Sequence, residues 1–214
     1  MTMDITTYLI VFVGALLLAV VGTPLSRKLG LRLHVIDQPD PSRKVHTVPT
    51  PRMGGVAIFI STLVAAVLLR GVYSELSGIL VGATLMSFLG FWDDRHSLSA
   101  WVKLPLQLVA IGLVMLSGVQ VTAFPFPAVN LVVTVVWLLG ITNALNLLDN
   151  MDGLSAGIAA IASAHFSIMC ALSGQYLVGG LSVAVTAACV GFLIYNWNPA
   201  TIFMGDSGSL FLGF

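Results

Sequence analysis

The sequence predicts an all-α polytopic membrane helix bundle, with seven transmembrane helices plus the start of an eighth, forming a single membrane domain over residues 1–214. Three observations carry that expectation. Hydrophobic residues make up 57% of the 214 and charged ones only 8%, whereas an ordinary globular domain is roughly one quarter charged. Apolar runs of about 20 residues, the length that crosses about 30 Å of hydrocarbon as a helix, recur along the whole chain. Between them fall nearly all of the charges, prolines and clustered asparagines.

The first run, about 6 to 26, follows MTMDITTY, which lacks the basic leader of a cleavable signal, so a retained helix is expected. Further spans are expected at about 53 to 70, 76 to 92, 102 to 121, 128 to 146, 154 to 173 and 177 to 195. Cys170 and Cys189 fall inside spans without a Cys-x-x-Cys pattern and read as small buried apolar residues. His165 stands alone in a span centre and is expected to be satisfied by a neighbouring helix carbonyl. After Ser209 the run LFLGF restarts and stops at Phe214, which reads as an eighth helix cut at its start.

Seven spans sort the loops onto two sides. Arg27, Lys28, Arg32, Arg43, Lys44, Arg52, Arg95 and Lys103 share one side, with Arg70 opposite. The positive-inside rule makes that side the cytoplasm and points the N-terminus outward. Asp37, Asp40, Asp93, Asp94, Asp149, Asp152 and Asp206 fall on the same side, while Asp4 and Glu75 do not. One charged working face against short outer loops is the expectation. Net charge is zero and there is no basic tail, so nothing points to nucleic acid.

Four motifs lie on that face. In VIDQPDPSRKVHTVPTPRMGG, four prolines exclude a helix and present Arg43, Lys44 and His46 on a stiff loop suited to phosphate; the same cations would also serve to anchor a loop at anionic lipid. In GFWDDRHSL, Asp93 and Asp94 adjoin the end of an apolar run, where two like charges call for a divalent metal or an arginine. In NALNLLDNMDGLSAG, positions 143, 146, 149 and 152 form one helical stripe, so Asn146, Asp149 and Asp152 are expected to converge. Ionisable groups at a membrane helix end are costly and usually functional, and carboxylate and amide oxygens suit magnesium. In YNWNPATIFMGDSGS, glycines around Asp206 would let backbone N–H groups approach phosphate oxygens while the carboxylate holds a metal. Together the four describe a magnesium and diphosphate site at the cytoplasmic boundary.

These motifs, in this order and spacing, resemble the polyprenyl-phosphate N-acetylhexosamine-1-phosphate transferases, glycosyltransferase family 4. That family begins O-antigen, enterobacterial common antigen, teichoic acid and arabinogalactan synthesis, and includes the translocase that makes the first lipid intermediate of peptidoglycan. The resemblance implies that a UDP-linked N-acetylhexosamine 1-phosphate passes to undecaprenyl phosphate with release of UMP, at the inner face of the bacterial plasma membrane. NLLDNMDG looks more like the branch using UDP-GlcNAc. By matching positions, Asn146 and Asp206 resemble the magnesium ligands, with Mn2+ able to replace the ion. Asp93 matches the residue proposed to deprotonate the lipid phosphate, with Asp94 beside it. Asp149 and Asp152 match acids near the nucleotide-sugar, Asn196 and Phe203 match residues contacting uracil, and Arg43, Lys44 and His46 lie in a loop that lines the same cleft. Members are often homodimers. The family continues for about three more helices and a His- and Arg-rich loop, so the resemblance implies that these 214 residues alone are inactive or poorly folded.

Two other readings compete. A UbiA-type intramembrane prenyltransferase also uses cytoplasmic aspartates and magnesium, but its acids recur at four-residue steps, and here the step is three. A cation-coupled transporter would place its acids near the bilayer midplane, whereas these sit at one face.

Overall fold

A computed structural model describes residues 5–39, 48–67, 69 and 74–214. Among these residues the chain forms eight helices and one two-residue ribbon: α1 Ile5–Leu33, β1 Ile36–Asp37, β2 Thr50–Pro51, α2 Gly54–Val67, α3 Ser74–His96, α4 Ala100–Leu116, α5 Pro127–Leu148, α6 Leu154–Leu172, α7 Tyr176–Asn196 and α8 Asp206–Gly213. Arg43, Lys44 and His46, and with them the basic-loop expectation, lie outside the described residues.

Among the described residues, five helices are long and apolar enough to cross a bilayer, α1, α3 from Leu76, α5, α6 and α7, and two shorter apolar helices, α2 and α4, stand with them. The chain is therefore a multi-pass membrane helix bundle. α2 has 14 described residues, about 21 Å of helix, and its start is fixed where the chain from Pro51 to Gly55 is bonded to the segment before α8. α4 has 17 residues and closes at Ser117, where Gly118 takes φ 98°; the apolar residues beyond it extended the hydropathy window without extending the helix.

Small residues decide the packing of the long helices. α1 buries Val11, Ala15, Ala19, Thr23, Ser26 and Gly30 at helical spacing, and this stripe meets the small face of α7. A Cβ on Gly191 would stand 2.8 Å from the Ala19 Cβ. Close backbone approach is the usual source of helix adhesion in lipid, where no hydrophobic drive operates between helices. Pro24 inside α1 supplies no N–H to the Val20 carbonyl four residues earlier. Tyr195 on α7 satisfies that carbonyl instead, its hydroxyl donating at 2.9 Å. The outer side of α1, including Leu9, Val13, Leu17 and Val21, is exposed apolar surface for lipid.

The short elements assemble one end of the bundle. β1 and β2 pair antiparallel, Ile36 opposite Pro51 and Asp37 opposite Thr50. Phe203 N donates to the Pro51 carbonyl at 2.8 Å, while Gly54 N and Gly55 N donate to the carbonyls of Phe203 and Met204 at 2.9 and 2.8 Å. The first N–H groups of α2, which have no partner within the helix, are thus satisfied by the α7–α8 connection. α8 then wedges between α2 and α3. Its first turn touches α3 so closely that a Cβ on Gly90 would stand 2.1 Å from the Asp206 carbonyl oxygen.

Cys170 and Cys189 are free and buried, as expected. His165 Nδ1 lies 3.0 Å from the Ile161 carbonyl of its own helix, not of a neighbouring one.

Candidate functional site

Four carboxylates meet where α3 ends, α5 ends and α8 begins. Asp93 and Asp94 come from the last turn of α3, Asp149 is the residue that closes α5, and Asp206 opens α8. Among the described residues, two cations face them. Lys103 Nζ on α4 lies 2.6 Å from Asp93 Oδ2 and 3.5 Å from Asp206 Oδ2. The Arg52 guanidinium, just after β2, lies 3.7 Å from Asp94, 4.0 Å from Asp206 and 3.6 Å from Asp37. Asp93, Asp94, Asp149 and Asp206 converge as expected, and among the described residues the carboxylates outnumber the cations beside them.

The two members of the adjacent pair have separate surroundings. Asp93 Oδ1 accepts the Leu98 N–H at 2.6 Å and Oδ2 accepts Lys103. The turn that brings Leu98 back requires Ser97 at φ 50°, an uncommon conformation for a residue with a side chain. The Asp94 side chain is 1% exposed and spends both oxygens on the start of α8, accepting Asp206 N at 3.0 Å and Ser207 N at 3.1 Å. This corrects the expectation that N–H groups around Asp206 cradle phosphate. Those of Asp206 and Ser207 are held by Asp94, and those of Gly208 and Ser209 by the Gly205 carbonyl at 3.1 Å each.

The expected stripe of 143, 146, 149 and 152 also needs correction, because α5 stops at Leu148. Asn146 remains on the helix and its Nδ2 donates to Ser209 Oγ on α8 at 2.9 Å. Asp152 falls past the helix end and turns away. Its Oδ2 accepts Asn198 Nδ2 and Ala200 N, each at 3.0 Å, which ties down the α7–α8 connection. Gly153 follows at φ 71° and opens α6. Asn196 braces the same region: its Oδ1 accepts Gly153 N at 3.0 Å and its Nδ2 donates to the Ile202 carbonyl at 2.9 Å. A direct contact from Asn196 to a base would have to replace one of these bonds. Phe203 is half-buried, its backbone held between Pro51 and Gly54.

Electrostatics follow from this crowding. Burial first, and then the adjacent Asp93 carboxylate, push Asp206 up to about 6 against the pull of Lys103 and Asn146. Burial, then the charges of Asp206 and Asp94, raise Asp149 well above the ordinary carboxylate range, while Arg52 and the Gly205 N–H work against the rise. Both groups are held ready to bind protons because too much negative charge shares one desolvated place.

Among the described residues, no three histidine, cysteine or acidic side chains could enclose a metal by themselves. The donor set still fits Mg2+ chemically. It offers hard oxygens from Asp206 and Asn146 with surplus negative charge nearby, and Mg2+ commonly takes one or two carboxylates and completes its shell with water and substrate phosphate.

Lys103 entered the sequence reading only as a topological charge, and Arg52 as the last cation of the proline-rich basic motif. The available signal for Lys103 was its position three residues into an otherwise apolar helix, where an ionisable side chain is expensive unless paired.

Comparison with known proteins follows the same motifs. The sequence profile described as Glycosyl transferase family 4 matches residues 76–214. A Bacillus subtilis protein named probable undecaprenyl-phosphate N-acetylglucosaminyl 1-phosphate transferase is 41% identical, over 96% of this chain and 60% of its own length. The decaprenyl-phosphate N-acetylglucosaminephosphotransferase of Mycobacterium tuberculosis is 35% identical, over 87% of this chain and 53% of its own. The phospho-N-acetylmuramoyl-pentapeptide-transferase of Shouchella clausii is 34% identical, over 94% of this chain and 69% of its own. The chain thus spans between about half and two thirds of the length of these relatives.

Proposed function

This chain belongs to glycosyl transferase family 4, and from that premise we propose that it transfers N-acetylhexosamine 1-phosphate from a UDP-sugar to undecaprenyl phosphate. One oxygen of the lipid phosphate bonds to the sugar-bearing phosphorus. The bond from that phosphorus to the bridging oxygen breaks, and UMP leaves. One phosphoanhydride is exchanged for another, so no external energy source is needed.

The observation that carries this reading is the acidic layer itself: Asp93, Asp94, Asp149 and Asp206 gathered around Lys103 and Arg52. Transfer between two phosphates is opposed by charge repulsion, and catalysis of such reactions is chiefly positioning and neutralisation. Asp206 and Asn146 would hold Mg2+, with Mn2+ as a substitute, and the ion would neutralise the diphosphate. Lys103, already bridging Asp93 and Asp206, supplies a cation to the attacking phosphate. Asp93 accepts the proton of a singly ionised lipid phosphate, since Lys103 and the Leu98 N–H keep its carboxylate charged and oriented. Asp94 holds the start of α8 so that Asp206 faces this pair. We assign Asp149 to the nucleotide-sugar side and Phe203 to the uracil, while Asp152 and Asn196 act through the α7–α8 connection and the start of α6 that they brace. Arg43, Lys44 and His46, cations of the proline-rich motif, are assigned to the phosphates on their chemistry.

The higher identity to the N-acetylglucosaminyl 1-phosphate transferase than to the pentapeptide transferase supports UDP-GlcNAc as the donor. Sorting of basic residues supports a cytoplasmic site and an outward N-terminus in a bacterial plasma membrane. The test is UMP release with undecaprenyl phosphate and Mg2+, comparing UDP-GlcNAc, UDP-GalNAc and UDP-MurNAc-pentapeptide. It should be run on these 214 residues and on a form extended to the length of the relatives. Turnover of UDP-GlcNAc that disappears in Asp206→Asn is expected. No UMP from any donor, at the extended length, would refute the reading.

A further inference from the structure

Beneath the acidic layer, about one helical turn along α4 and α5, lies a polar contact that the proposed chemistry does not use. Gln107 on α4 is fully buried. Asn143 Nδ2 on α5 donates to Gln107 Oε1 at 2.9 Å, and Gln107 Nε2 donates back to Asn143 Oδ1 at 3.4 Å. The Asn143 amide also donates to the Leu139 carbonyl at 2.8 Å, which fixes its orientation. Two amides among apolar helices cost free energy unless paired, and a pair of leucines would pack there without that cost.

Their places in the sequence show what they align. Gln107 follows Lys103 by four residues on α4, and Asn143 precedes Asn146 by three on α5. Residues three or four apart share a helix face, so each amide lies on the same face as a site residue, one turn along its helix. An apolar contact tolerates sliding and rotation, whereas two reciprocal amide bonds are satisfied in a single register. Lys103 reaches Asp93 and Asp206, and Asn146 reaches Ser209 on the helix that Asp206 opens. Both therefore depend on how α4 and α5 are set against α8.

The geometry points to Gln107 and Asn143 as positioning residues, a reciprocal amide clasp that fixes Lys103 relative to Asn146 and Asp206. Its kinetic consequence rests on the transferase reading, because displacing reacting groups by about 1 Å can cost about 100-fold in rate. Its structural consequence does not rest on it.

The experiment compares Gln107→Leu, Asn143→Leu and the exchanged pair Gln107→Asn with Asn143→Gln, which conserves the summed length of the two side chains. On the 214-residue chain, acetylation of Lys103 by acetic anhydride is followed by mass spectrometry. Labelling is expected to rise several-fold in each leucine variant and to return toward the wild-type rate in the exchanged pair. On the extended form, kcat for UMP release is expected to fall roughly tenfold or more, with KM for the UDP-sugar nearly unchanged and most of kcat recovered by the exchange. Wild-type labelling in the leucine variants overturns the clasp. So does an exchanged pair no better than the leucines, or a kcat loss explained wholly by a smaller folded fraction. If the unmodified extended form releases no UMP, the transferase reading fails and the labelling still decides the clasp.

Discussion

Asp94 illustrates how adjacent acids acquire different work. Asp93 keeps its carboxylate beside a lysine, whereas Asp94 is consumed by two backbone N–H groups. Changing Asp94 to Asn leaves one carbonyl oxygen for two donors and turns an amide N–H toward the other. Leaving a buried donor unsatisfied costs about 1–3 kcal/mol, so Asp94→Asn should lower the thermal midpoint in detergent clearly. Asp93→Asn should change stability less and turnover more. Equal stability losses in both would show that the pair is not divided in this way. Asp152→Ala, which releases Asn198 and the Ala200 N–H, should destabilise by about 1 kcal/mol and speed proteolysis of the α7–α8 connection; unchanged cleavage would contradict its role as a tie. Much of this was legible in the sequence, since the types and order of Asp93, Asp94, Asn146, Asp149 and Asp206 already marked a shared face. The direction of Asp152 was not, because a helical stripe holds only while the helix lasts, and α5 ends at Leu148.

At the scale of elements, α1 and α7 are joined through an exchange of hydrogen-bond partners. Pro24 frees the Val20 carbonyl, and Tyr195 fills it. Tyr195→Phe should therefore cost about 1–3 kcal/mol. Pro24→Ala restores a backbone N–H to that carbonyl, so the tyrosine change should cost much less in its presence. A thermal double-mutant cycle with no interaction between the two positions would contradict the exchange. The end of α4 was less legible. Hydropathy averages over a window and does not register that Gly118 takes a left-handed turn. The five longer helices were legible because their apolar runs have few interruptions.

For the whole molecule, the raised carboxyls of Asp206 and Asp149 make their contribution to stability depend on pH in an unusual direction. Asp206 is pushed up to about 6 from an ordinary 3.8, and Asp149 is raised as well. A carboxyl raised in the folded state contributes stability fully below its unfolded value and loses it as pH rises through the folded value. In metal-free buffer, thermal stability should therefore fall between about pH 4 and pH 7. Asp206→Asn should flatten part of that fall. A metal-free profile that rises over this interval in the unmodified protein, and is unaltered in the variant, would contradict the assignment.

The proposed divalent-ion site rests on the same gathering of acidic side chains, and the proposed chemistry follows from that ion. Its most direct test is a Mn2+ titration of the purified 214-residue chain near neutral pH, followed by electron paramagnetic resonance. One saturable site is expected, competed by Mg2+ and strongly weakened in Asp206→Asn and Asn146→Ala. Equal Mn2+ affinity in the unmodified chain and in both variants would contradict it.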